Sequence, residues 1–100
     1  MVKHIILWQL KDALTAEQKS KIAADAKTHL EALKGKIDGL ADIRVITEKL
    51  PSATADMMLY STFVSADALK AYSVNEHHRA VADTYVRPFI ETRLCMDFEE

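Results

Sequence analysis

Residues 4–10 read His4-Ile5-Ile6-Leu7-Trp8-Gln9-Leu10, and the fold follows from how this run divides between two faces. Successive side chains of a strand point to opposite sides, so His4, Ile6, Trp8 and Leu10 share one face while Ile5, Leu7 and Gln9 share the other. Both faces are largely apolar. A strand of this kind needs cover on both sides, which is more than one layer of helices supplies.

Outward from that strand, Thr15 is placed to cap a helix, and Gln18 three residues later completes a capping box. Ile22, Ala26, Leu30 and Leu33 then fall on one helical stripe, with Gly35 as the predicted stop and Gly39 as the turn into the next element. A second strand is predicted over 42–48, carrying Ile43, Val45 and Ile46, and a third over 56–64 after the loop at Pro51 and Ser52. The third divides into Met57, Leu59, Ser61 and Phe63 against Met58, Tyr60, Thr62 and Val64, and neither face is plainly wet. Ser65 caps a short helix through Leu69 and Tyr72, and Asn75 caps another with His78, Val81, Ala82 and Tyr85 on one stripe. Arg87 and Pro88 end that helix, and a last strand over 91–98 sets Leu94, Met96 and Phe98 opposite Arg93, Cys95 and Asp97.

The order strand, helix, strand, strand, helices, strand predicts an α+β, ferredoxin-like, four-stranded antiparallel sheet with helices on one face, built as a single domain over residues 1–100. One sheet face is left bare. Apolar burial is worth roughly 25 cal/mol per Å², so a second copy covering Ile5, Leu7 and their neighbours is the expected partner. A homodimer follows from the pattern.

Composition narrows the function classes. The chain has 100 residues, 49% of them apolar, with two Gly and two Pro, which describes a folded domain. Thirteen basic and fifteen acidic residues mix along the chain for a formal charge of -2, without the basic block that nucleic acid demands. The run from Ile5 to Trp8 is too short for a membrane span and has no signal-peptide cleavage pattern. Nucleic acid and membrane are therefore not expected partners. The single Cys95 permits no internal disulfide and fits a reducing, cytoplasmic setting.

Several segments, taken together in order and spacing, carry a resemblance. They are Met1-Val2-Lys3-His4-Ile5-Ile6-Leu7-Trp8, Leu33-Lys34-Gly35-Lys36-Ile37-Asp38-Gly39, the stretch from Ala71-Tyr72 to His78, Val86-Arg87-Pro88 and Asp97-Phe98-Glu99. The chain resembles the stress-responsive α/β-barrel (Dabb) domain family over essentially its whole length. The resemblance implies a ferredoxin-like fold and a homodimer whose two sheets close into a barrel. It also implies a choice of roles, because many members are stress-associated proteins while a plant member, olivetolic acid cyclase, closes a polyketide by aldol condensation. By position, Tyr72 and His78 match that cyclase's catalytic tyrosine and histidine, and His4 matches a pocket histidine. Met57 stands where the cyclase has another pocket histidine, and Asn75-Glu76-His77-His78 replaces the usual His-Pro-x-His run.

Three readings of these residues stay open. In the first, His4, Trp8, Met57, Leu59, Phe63, Tyr72 and His78 line a pocket between sheet and helices for a small apolar or aromatic ligand. In the second, a cyclase or lyase works without cofactor, with His78 as general base and Tyr72 orienting a carbonyl. In the third, His78 and Tyr72 are core residues of a structural stress-protection protein. His77 and His78 are adjacent and diverge around the helix, so they form no metal pair, His29 reads as a boundary residue, and Cys95 as structural or incidental. No metal or cofactor is expected. Arg93 and Asp97 share a strand face, and the pattern leaves open whether they pair or are solvated.

Overall fold

Strand β1 spans Val2–Leu10. It begins two residues before the alternation at His4, because Val2 and Lys3 continue the pairing with Phe63 and Thr62. The computed structural model describes residues 1–100. Strand β2 (Leu40–Ile46), strand β3 (Met57–Phe63) and strand β4 (Ile90–Glu99) complete one antiparallel sheet in the order β2-β3-β1-β4. This is the expected ferredoxin-like arrangement, with β1 at its centre.

Helix α1 (Ala16–Glu31) starts as its residues dictate: the Thr15 hydroxyl accepts from the Gln18 N–H at 3.1 Å and the Gln18 side chain accepts from the Thr15 N–H at 2.8 Å. It ends earlier than Gly35, since from Leu33 onward the chain tightens into turns bonded three residues back, such as Lys36 N–H to Leu33 C=O at 3.0 Å. Leu33 stays buried from within those turns. Edge strand β2 would leave backbone groups unpaired at Val45, but the Glu31 carboxylate accepts its N–H at 2.9 Å and Lys27 donates to its carbonyl at 2.9 Å. Burial works to raise the Glu31 carboxyl, yet Lys27 and that N–H outweigh it and hold the group below its ordinary value.

Helix α2 (Ala66–Ser73) is capped by Ser65 and helix α3 (Glu76–Tyr85) by Asn75, whose side chain accepts from the N–H groups of His77 and His78. A 3₁₀ turn at Arg87–Phe89 follows, forced by Pro88, and delivers the chain to β4. His29 stacks on Tyr85 with centroids 3.8 Å apart, which settles it as a packing residue between α1 and α3. No helix is long and apolar enough to cross a membrane.

The helices lie on the face that carries Ile6, Trp8, Leu10, Ile43, Val45, Leu59 and Phe63, all buried in one core with Ile22, Ala26 and Leu30 of α1. The opposite face has no cover. There Leu7 stands between Met58 and Leu94, and Ile5 between Tyr60 and Met96, with Leu94 and Met96 more than half exposed, at 62% and 63%. Strand β4 has no helix over it on either side, and its residues from Glu91 to Glu99 are exposed.

Candidate functional site

Tyr72 and His78 meet because α2 and α3 are joined by a turn of two residues, Val74 and Asn75. The Asn75 cap fixes where α3 begins, and His78, three residues on, is thereby turned back toward the last turn of α2. The two rings lie with centroids 4.0 Å apart and planes inclined by 31°. Below them, His4 projects from β1 toward the same space, its ring edge-on to Tyr72 at 6.1 Å and to Phe63 at 6.2 Å.

These three side chains border a cavity of about 420 Å³ between sheet and helices. Ile6, Trp8 and Leu59 form its floor, Leu69, Ser73, Ala82 and Val86 its roof, and Leu30 of α1 closes one side. Toward β4 the wall is Ile90 and Arg93, with Arg87 at the 3₁₀ turn. The volume suits a small organic molecule. Of the seven residues expected to line a pocket, His4, Trp8, Leu59, Tyr72 and His78 do so. Met57 and Phe63 do not: both are packed within the hydrophobic core on the same sheet face. Phe63 acts one layer back, packed on Tyr72 with centroids 4.9 Å apart.

Two polar atoms on this wall are buried and make no hydrogen bond, the Tyr72 hydroxyl and His78 Nδ1. Burial pushes the Tyr72 phenol well above its ordinary value, so it carries its proton and is a donor at neutral pH. Burial, followed by the charges of Arg87, His4 and Arg93, lowers His78 to about 4, with the nearby Tyr72 carbonyl acting the other way without closing a hydrogen bond. His78 is therefore a neutral imidazole at pH 7, able to accept or to donate one bond.

The third polar group is held differently. His4 Nδ1 is hydrogen-bonded to the Asp97 carboxylate, its register partner on β4. A carboxylate at Nδ1 favours the tautomer with its proton there and leaves Nε2 as the free acceptor. The Cys95 thiol donates to the same carboxylate at 3.4 Å and lies 3.8 Å from His4 Nδ1. Burial first, then Asp97, raises the Cys95 thiol, so it is a thiol and no nucleophile at neutral pH. His4, Cys95 and Asp97 are the one group whose donor atoms have metal-triad spacing, and the direct His4–Asp97 bond already satisfies two of the three.

The sequence singled out neither Arg87 nor Arg93 for this wall, and it left Asp97 without its partner. Strand alternation placed Arg93 and Asp97 on one face, but the register opposite β1 decides that Asp97 faces His4 and Arg93 faces Trp8. Arg87 has its own acidic neighbour one helical turn back, Asp83.

A family model described as the stress responsive A/B barrel domain matches residues 2–100. No curated protein matches the chain. Among solved structures, a dimeric protein of unknown function with a ferredoxin-like fold from Bacteroides fragilis is 33% identical, with a TM-score of 0.92 over 99% of this chain and 95% of its own. A Dabb family protein from Mesorhizobium loti is 20% identical, with a TM-score of 0.74 over 99% of this chain and 95% of its own. A hydroxynitrile lyase from Passiflora edulis is 19% identical, with a TM-score of 0.70 over 97% of this chain and 90% of its own. For the last two the likeness establishes the fold.

Proposed function

The chain belongs to the stress-responsive α/β-barrel (Dabb) family, and from that premise we propose that it is a homodimeric, single-domain cytoplasmic protein that binds a small, largely apolar carbonyl compound between sheet and helices. One observation carries the ligand: the Tyr72 hydroxyl and His78 Nδ1 are both buried at the cavity wall without a partner. Leaving such groups unpaired costs about 1–3 kcal/mol each, a cost that a bound acceptor would remove. Trp8, Leu59 and Ile6 offer the flat apolar surface for the rest of the molecule. The dimeric Bacteroides fragilis relative and the bare outer sheet face support the second copy, and the exposed free thiol of Cys95 supports a reducing compartment.

Trp8 is the only tryptophan and lines the cavity, so its fluorescence reports occupancy. Titration with methyl cinnamate should give a saturable change in the wild type and none in Ala82→Phe, which fills the cavity roof. A response that stays linear for methyl cinnamate and for acetophenone alike would remove the basis for a ligand pocket.

Catalysis is a second reading, favoured by the pairing of a protonated phenol with two histidines on one wall. Proton transfer would need no cofactor, with Tyr72 donating to a carbonyl oxygen as charge develops there. His78 as the base is neutral and available, but a value of about 4 makes it a weak one. His4, oriented by Asp97, is the better-held acceptor. Loss of turnover in both His78→Ala and His4→Ala, with dimer and fold intact, is the outcome this reading requires.

A further inference from the structure

Fourteen residues line the cavity, and apart from the histidines the only ionisable basic or acidic side chains among them are Arg87 and Arg93. No aspartate or glutamate faces the space. An apolar chamber whose fixed charge has a single sign selects a ligand of the other sign, because the low-dielectric walls focus the field of the guanidinium groups into it.

The two arginines are not equivalent. Arg87 is shared with the Asp83 carboxylate one turn earlier, whereas Arg93 forms no ion pair at all. Asp97, four residues on along β4, is committed to His4. The site thus presents one uncompensated positive charge, which suits a monoanion better than a dianion. Both guanidinium groups reach far enough to act on His78 in the roof, since each contributes to the lowering of that imidazole. Tyr72 and His78 border the same chamber.

We infer that the ligand is an amphiphilic monocarboxylate: its carboxylate sits between Arg93 and Arg87 at the β4 side, its apolar body lies on Trp8 and Leu59, and a second polar group meets Tyr72 and His78. This rests on the pocket reading above and names the class of molecule it takes. Planar guanidinium forks match a carboxylate's two oxygens, which gives the arginines orientation as well as attraction.

The test compares cinnamate with methyl cinnamate, two ligands of nearly one shape that differ in charge, through Trp8 fluorescence. The wild type should bind the acid about tenfold more tightly than the ester, a difference of about 1.4 kcal/mol. Arg93→Gln should reduce that preference to about twofold, Arg87→Gln should reduce it less, and raised salt should erode it. Equal affinity for acid and ester in the wild type would overturn the inference while leaving the pocket standing. A preference for the acid that survives in the Arg87→Gln, Arg93→Gln double variant would also overturn it, because the anion would then be recognised elsewhere. Failure of both ligands to bind would take the pocket reading down with it.

Discussion

The Tyr72 and His78 rings pack with centroids 4.0 Å apart and planes tilted by 31°, yet the Tyr72 hydroxyl and His78 Nδ1 make no hydrogen bond to each other or to any other group. The pair is joined by ring contact, and both residues border the cavity. Stability and binding therefore place opposite demands on the same two side chains.

Tyr72→Phe separates those demands. Removing a buried hydroxyl that has no partner relieves its desolvation, so the variant should be as stable as the wild type or more stable by up to about 1 kcal/mol. Binding of methyl cinnamate should weaken at the same time. Urea unfolding monitored by circular dichroism checks the first statement. A loss of more than about 1 kcal/mol would mean that the hydroxyl is bonded within the protein.

The pH dependence of folding follows from His78. In the unfolded chain the imidazole takes up a proton near its ordinary value of 6.5, but in the folded protein only near about 4. Between those values the unfolded state binds more protons, so stability falls as the pH is lowered from about 6.5 toward 4, and is insensitive to this group above and below that window. Glu31, Asp42 and Asp56 are all held below their ordinary carboxyl values of 4.5, 3.8 and 3.8, so their share of acid destabilisation comes mainly at lower pH. His78→Phe should flatten the curve between pH 6.5 and 5 and leave the acid limb in place. An unchanged slope in that variant would contradict the assignment.

Glycine positions give a paired comparison. Gly35 and Gly39 both have positive φ, +85° and +83°, but a Cβ at Gly35 meets nothing whereas one at Gly39 would sit 2.5 Å from the Ala68 Cβ at the start of α2. Gly35→Ala should cost about 1 kcal/mol for the left-handed backbone alone. Gly39→Ala adds the clash and displaces α2, so it should cost about 2–3 kcal/mol and disturb the Tyr72 end of the cavity. Similar losses in the two variants would show that α2 shifts freely.

How much of this was legible in the sequence depends on the kind of information. Local chemistry was: the Thr15–Gln18 capping box and the Ser65 and Asn75 caps are stated by residue type and spacing, and each is present. Alternation likewise separated Ile5 and Leu7 from Ile6 and Trp8, which is enough to foresee a bare sheet face. Register is a property of two strands at once, so the facing of His4 to Asp97 was out of reach. The split among Met57, Leu59 and Phe63 was equally hidden, since one face holds all three and only the stance of α2 and α3 decides which borders empty space. His4, Tyr72 and His78 were brought together by resemblance to a family, not by periodicity.

The bare face yields the prediction on assembly. Leu7 faces Leu94 across the β1–β4 ladder, Ile5 faces Met96, and on the far side Arg44 and Lys3 lie over the Tyr60 ring at 4.8 and 5.1 Å. Cationic side chains at Tyr60 thus border an apolar centre, the pattern of an interface core with a polar rim. Leu94 and Met96 are exposed in the protomer, so Leu94→Asp with Met96→Asp removes no internal packing. The double variant should keep its far-ultraviolet circular dichroism yet sediment as a monomer where the wild type sediments as a dimer. It should also unfold at lower temperature, because apolar area worth roughly 25 cal/mol per Å² no longer leaves water on assembly. A double variant that remains dimeric would place the contact on another surface.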